Sequence, residues 1–368
     1  MRFNRRIVHY YPRALTGDGG VTIAVRGWAE AQAEAGHEVS LLHYQGTNGG
    51  RYSERIELIE VPHRGGKRWR RTLRPEGLER FLDPTDLLVL HSGWWYRNFV
   101  AAAVARSRGI PYLVVPHGAY DTSVRAKRRL IRSVWEIRER RLLARAWAVH
   151  VFFESEQAEI KALAPAARTV VAPTGFDLPE GAWLGGGGYL AWLGRFDVDH
   201  KGLDVLLGAV AHLPRSDRPH LVMHGRPHRQ DVAHIERIAR RLGISEWVKV
   251  LGEVSGKEKL DFLTHSEGFI YPSRWESYGL SLVESMALGI PTVLSSSMHI
   301  AGLIESHGAA IVTTPSPADV AEAIVELRRR GPEMGRRGRE FVGRHLSWST
   351  VVQRLIDQLE ELPPAANR

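Results

Sequence analysis

The chain has 368 residues, 43% of them hydrophobic and 25% charged, which suits a globular protein of two ordinary domains, each with its own core. Its 50 basic and 41 acidic residues leave a net charge of +9, and cysteine is absent. That excludes a disulfide framework, a thiolate nucleophile and a cysteine-built zinc site.

The basic start MRFNRRIVHYYP has no apolar core, and no stretch reaches the roughly 18 apolar residues of a spanning helix. Neither a signal peptide nor a membrane span is expected, and the cytoplasm is the expected compartment. RIVHY, residues 6 to 10, reads as the first strand. A loop with Gly17, Gly19 and Gly20 follows, then a helix from Val21 to Ala35 closed by Gly36, then the strand HEVSLLHY. This order is a βαβ unit. The loop lacks G-x-G-x-x-G, so from spacing alone a plain turn stands beside a phosphate loop. Residues 44 to 85 are irregular apart from a strand near Arg55 to Val61.

Asp86 to His91 is a buried strand ending in His91. IPYLVVPHGAYD makes another strand-to-loop transition, which sets His117 just past a strand's C-terminal end, where α/β sheets place their ligands. Arg125 to Val149 reads as a long basic helix whose apolar side is Leu130, Ile131, Val134, Ile137, Leu142 and Ala146. It is either a solvated surface helix or one attracted to an anionic membrane. VHVFFESEQ adds a strand, and Leu178 to Gly188, with its run of glycines, is the expected linker.

The second half opens with the strand Tyr189 to Leu193, followed at once by Arg195. Lys201-Gly202 then begins a helix whose Leu203, Leu206, Leu207 and Val210 face the core. A cation at a strand end and another at the next helix start can converge on one diphosphate; two surface cations is the plain alternative. HLVMHGRP, with Gly225 at its turn, VKVLGEVS and FIYPS supply further strands.

Tyr271 to Ser295 then reads as strand end, polar turn, helix and strand. The helix is expected from Tyr278 to Leu288, with Gly289 as a left-handed C-cap and Pro291 as its stop. The amides of Gly279, Leu280 and Ser281 at its start can hold a phosphate by backbone alone. Glu276 and Glu284 are spaced so that a helical rise would separate them by about 12 Å, roughly a nucleotide diphosphate. Each taken singly also fits a dipole-complementing or solvated charge. Ala301 to Ile304 and Gly308 to Val312 are expected to finish the sheet.

The frame ESYGLSLVESMALGIPTV, with its E-x7-E spacing, resembles the retaining glycosyltransferases of family 4, and G-R-x5-K-G resembles their diphosphate-binding motif. The resemblance covers most of residues 6 to 360 and is strongest over 189 to 294. It implies an α/β fold of the GT-B type, two Rossmann-like domains facing across a cleft, with a C-terminal helix crossing back to the first. The expected division is 1–177, 178–345 and 346–368, the last being that helix and a short disordered tail. It further implies a nucleoside-diphosphate sugar as donor, a glycan or lipid-linked hydroxyl as acceptor, a role in polysaccharide assembly, no cofactor and no metal.

By the same resemblance His117, Arg195, Lys201 and Glu276 are the catalytic set. Gly19 and Gly20 close over donor phosphates or acceptor, and Arg195, Lys201 and the segment Tyr278, Gly279, Leu280 and Ser281 hold the donor. Glu284 takes the ribose, with Gly225, Glu253 and Val254 near the base. Residues 44 to 85 and the helix 125 to 149 are expected to shape the acceptor site. Thr174 replaces the family's usual asparagine before Gly175. A sugar-nucleotide epimerase on the same fold is one alternative; a basic protein binding nucleic acid or anionic membrane is another, of a different class.

Overall fold

The computed structural model describes residues 5–15, 19–44, 54–64, 73–83, 85–122, 132–227 and 231–364. Its contacts divide the chain into two compact units, Met1–Gly175 with Trp348–Arg368, and Phe176–Ser347. Gly17, parts of the irregular stretch 44 to 85 (45–53, 65–72 and 84) and residues 125–131 of the expected basic helix lie outside the described residues.

In the first unit the chain runs β1 (Arg6–Tyr11), α1 (Gly20–Glu34), β2 (Glu38–His43), β3 (Ile56–Glu60), β4 (His63–Arg64), β5 (Arg74–Pro75), α2 (Leu78–Phe81), β6 (Leu87–His91), α3 (Tyr96–Ser107), β7 (Tyr112–Val115), α4 (Arg132–Arg145), β8 (Ala148–Val151), α5 (Ser155–Leu163) and β9 (Thr169–Val171). The sheet order is β3-β2-β1-β6-β7-β8-β9, every neighbouring pair parallel. Side chains alternate between faces. Val8, Tyr10, Leu88, Leu90, Tyr112, Val114, Val149 and Val151 build an apolar core with Ala101, Ala102 and Ala105 of α3. The other face carries His9, His91 and His150, all buried.

The C-terminal helix Trp348–Glu361 completes this unit. Its Trp348 ring stands edge-on to Trp28 at 5.5 Å. A Cβ on Gly27 or Gly175 would fall 2.0 or 2.3 Å from that ring, so both positions must lack one. Gln358 accepts from the Val171 amide and donates to the Val171 carbonyl, each at 2.8 Å, in the manner of an added strand.

The second unit runs β10 (Tyr189–Phe196), α6 (Val198–Lys201), α7 (Leu203–His212), β11 (His220–Pro227), α8 (Asp231–Arg241), β12 (Val248–Leu251), α9 (Gly256–Thr264), β13 (Gly268–Tyr271), α10 (Leu280–Ala287), β14 (Thr292–Ser295), α11 (Ala301–Ser306), β15 (Ile311–Thr313) and α12 (Pro317–His345). Its parallel sheet has the order β12-β11-β10-β13-β14-β15. Leu203, Leu206, Leu207 and Val210 of α7 are fully buried, each contributing about 1.5–3 kcal/mol.

Four expectations need correction. The expected linker, Leu178 to Gly188, lies inside the second unit: Trp183 donates from its ring to the Ser266 carbonyl at 2.7 Å, and Gly187 donates to the His265 carbonyl at 2.9 Å. Its glycines serve positive φ at Gly185, Gly186 and Gly188 rather than freedom of hinge. The basic helix stops at Arg145, and Val149 is a buried strand residue of β8. Its face is not one apolar stripe, since Ile137 is 50% exposed while Glu139 is fully buried. Ala301 to Ile304 is helix, and only Ile311–Thr313 joins the sheet edge. Finally, α10 begins at Leu280, so Glu276 stands on the loop ahead of it, in a bridge to Met298, and the helical-rise spacing of the two glutamates does not apply.

Candidate active site

In the second sheet the strand order reverses between β10 and β13, and such a reversal opens a crevice at the strands' C-terminal ends. The residues expected to bind a diphosphate stand there. Asp197 caps α6 by accepting from the His200 amide at 3.2 Å. Gly202 ends that turn at φ +61°, and a Cβ on it would meet the Pro272 carbonyl oxygen at 2.1 Å. The close approach brings the loop after β13 onto α6. Arg274 fixes it there, donating to both carboxylate oxygens of Asp204 at 2.7 and 2.8 Å and to the Asp199 carbonyl at 2.9 Å.

Lys201 is 8% exposed. Its Nζ donates to Tyr271 Oη at 2.8 Å and is paired with the Glu276 carboxylate. Burial works against both charges, but each stabilises the other: the lysine is held above its ordinary pKa and the glutamate below its own. His200 lies flat on Trp275, ring centroids 3.5 Å apart. Burial, helped by Lys201, lowers its pKa to about 4, so it is neutral, and its Nδ1 sits 3.4 Å from the Arg195 guanidinium. Arg195 is also held by Asp197 at 3.1 Å.

Beside this pair, Gly279 takes φ +77° as the residue before α10, so the Leu280 and Ser281 amides begin the helix at the same sheet end. Tyr278 is buried. Glu284, one turn on, pairs with Lys259 of α9 at 2.5 Å. Gly225 is a packing glycine: it stands in register with Gly194 of β10, and a Cβ there would sit 1.8 Å from the Gly194 carbonyl oxygen. Glu253 is exposed and paired with Arg226, and Val254 follows it half-buried. Tyr271, His200, Arg274, Asp204 and Lys259 went unmarked in the sequence because tertiary contacts alone give them their places.

His117, Gly19 and Gly20 belong to the first unit. Gly19 and Gly20 are exposed at the start of α1. His117 is in left-handed backbone at φ +52°, and Ser92 and Trp94, on the loop after β6, share that conformation at +67° and +65°. Such strain in residues with side chains persists where the surroundings enforce it, and it gathers at functional sites. The buried Glu139 of α4 ties the two segments together, accepting from Tyr120 Oη at 2.5 Å and from the Trp94 amide at 2.9 Å. Elsewhere in this unit a cavity of about 810 Å³ runs along α3, lined by Arg64, Arg74, Arg106, Arg138 and Arg141 with Tyr96, Phe99 and Leu142.

Residues 19–175 match the model of the glycosyl transferase 4-like domain, and residues 187–330 match that of glycosyl transferases group 1. The chain is a glycosyltransferase of the family 4 type. The GDP-mannose:cellobiosyl-diphosphopolyprenol alpha-mannosyltransferase of Xanthomonas campestris is 23% identical to this glycosyltransferase over 314 residues, 82% of this chain and 80% of the relative. Among solved structures, the sucrose-phosphate synthase of Thermosynechococcus elongatus superposes with a TM-score of 0.76 at 19% identity, covering 97% of this chain and 99% of that one. Anabaena HepE in complex with UDP-glucose gives 0.72 at 16% identity, covering 97% and 100%. The fold is therefore GT-B. Among the described residues, no helix is long and apolar enough to cross a membrane.

Proposed function

We propose that this glycosyltransferase moves a sugar from a nucleoside diphosphate to a hydroxyl of a lipid-linked glycan, with the anomeric configuration retained and no metal required. One observation carries the reading: a buried lysine and a carboxylate, Lys201 and Glu276, are paired where the strand order reverses, beside Arg195 and the start of α10. In the free protein Glu276 neutralises Lys201. A donor diphosphate takes the glutamate's place on the lysine, and Glu276 is released toward the hydroxyls of the donor sugar. Lys201, Arg195 and the amides of α10 then stabilise charge as it develops on the departing phosphate. They supply the positive charge that a metal would otherwise bring.

Glu276 is engaged as a counter-ion, which suits positioning better than nucleophilic attack. The bond from the anomeric carbon to the phosphate oxygen breaks on the face where the bond to the acceptor oxygen forms. The acceptor's proton passes to the leaving phosphate. Glu284 reaches the ribose by exchanging Lys259 for it.

The arginine-lined cavity of the first unit supports an anionic acceptor, as does the relative whose name carries a diphosphopolyprenol. The test is thermal unfolding against a panel of nucleotides and nucleotide sugars in chelator. A rise selective for one nucleoside diphosphate, lost in Lys201→Ala, is expected. No rise with any nucleotide, from a protein whose fold is intact, overturns the reading.

A further inference from the structure

Three histidines of the first unit stand in a hydrogen-bonded file. His9 of β1 pairs in register with Val89, two residues before His91, so both rings leave the same face of the sheet. That face is covered by α1, which carries Gln32. Gln32 Oε1 lies 2.7 Å from His9 Nε2, His9 Nδ1 lies 2.8 Å from His91 Nε2, and His91 Nδ1 lies 2.9 Å from His117 Nε2. Gln32, His9 and His91 are 4%, 1% and 0% exposed, while half-buried His117 ends the file with its Nδ1.

A neutral imidazole has one N–H and one lone pair, so every link in such a file must run in the same direction. An amide oxygen only accepts. His9 therefore carries its proton on Nε2, its Nδ1 accepts from His91 Nε2, and His91 Nδ1 accepts from His117 Nε2. We propose that Gln32, His9 and His91 are positioning residues that hold His117 in the tautomer protonated at Nε2, so that its Nδ1 offers a lone pair to a hydroxyl of the sugar substrate. The identity of that hydroxyl rests on the glycosyl-transfer reading; the tautomer does not. Burial keeps His9, His91 and His117 below the ordinary histidine pKa, which keeps the file neutral and its direction single. The left-handed backbone of His117 is the cost of aiming its ring at the end of the file.

Nitrogen-15 spectra of the full chain, labelled at histidine, read which ring nitrogen carries the proton. His9, His91 and His117 are expected as Nε2–H tautomers. Gln32→Met removes the acceptor that sets the direction, and the Nδ1–H form of His117 is expected to rise to a population comparable with the other. His150 is the control: its Nε2 donates to the Ala172 carbonyl at 2.7 Å, independently of Gln32, and its signals stay in place if the sheet is intact. Turnover in that variant falls about tenfold, the scale of one lost hydrogen bond.

An Nδ1–H signal from His117 in the unaltered protein, or a His117 tautomer indifferent to Gln32→Met, overturns the proposal. Should Gln32→Met fail to fold, the unaltered protein alone decides. Correct tautomers with no turnover of any nucleotide sugar would leave the relay standing and remove the proposed reaction instead.

Discussion

Gly202 and Lys201 show at single-residue scale how the sequence and the tertiary structure divide the work. The spacing of Arg195 and Lys201 leads to the expectation of a cation at a strand end and another at a helix start; Arg195 stands near the end of β10, while Lys201 is the last residue of the short α6, ahead of α7. The spacing could not reveal that Lys201 spends its charge on Glu276 and a hydrogen bond on Tyr271, because those partners lie 75 and 70 residues away. Lys201→Ala strips the counter-ion from a half-buried carboxylate and, in the proposed reaction, removes the main cation facing the leaving phosphate. Turnover is expected to fall at least 100-fold, the scale of losing one preorganised electrostatic partner, with the circular dichroism spectrum unchanged. Activity within a few-fold of the parent would take Lys201 out of the chemistry. Gly202→Ala meets both a left-handed backbone and the Pro272 carbonyl. Denaturant titration is expected to show a loss of about 2 kcal/mol, and an unchanged midpoint would mean that the loop after β13 moves aside freely.

At the scale of elements, strands and long amphipathic helices were legible from periodicity. Segments whose fate depends on a single buried contact were not. The basic helix α4 read as either a solvated surface helix or one attracted to an anionic membrane, because arginine dominates it; its one buried glutamate, Glu139, which ties it to the Trp94 and Tyr120 segments, gave no sign of that in the sequence. The glycine run after Leu178 had linker composition, yet its amides and Trp183 find carbonyl partners in the second unit. The C-terminal helix is seated by buried Val351, Val352, Leu355 and Leu359, by Gln358, and by an indole fitted against two glycines. Trp348→Ala empties that place and is expected to cost about 2–3 kcal/mol, less than a fully buried tryptophan, read as a lowered midpoint for unfolding of the first unit.

The histidine-bearing face of that unit makes a second element-scale prediction. His9 and His150 are pushed down by burial to about 4, below the ordinary value of about 6.5. The unfolded chain therefore binds more protons than the fold across that window. Stability contributed by each ring is complete above about pH 6.5 and is lost as pH falls toward 4, by up to about 1.4 kcal/mol per pH unit per ring. A melting temperature that stays flat from pH 6.5 to 4 would mean that these rings are charged inside the fold.

For the whole molecule, the alternation of strand and helix announced two parallel sheets, and the E-x7-E frame announced the family, because both are local in sequence. What stayed out of reach was the state of the site without ligand. The Glu276 carboxylate is paired with Lys201 and that of Glu284 with Lys259, so both glutamates of the frame have counter-ions in the free protein. On the proposed reading, binding exchanges one set of contacts for another rather than filling empty positions. Hydrogen exchange on the full chain, with and without a nucleoside diphosphate, tests that exchange. Protection is expected at the start of α10, whose first amides have no helical acceptor of their own, and across 195–202, where Lys201 trades partners. The outer strand β12 should be unaffected except at its end near Glu253. Slower exchange confined to the arginine-lined cavity of the first unit would mean that the nucleotide binds there, and the roles given to Lys201 and Glu276 would fall together.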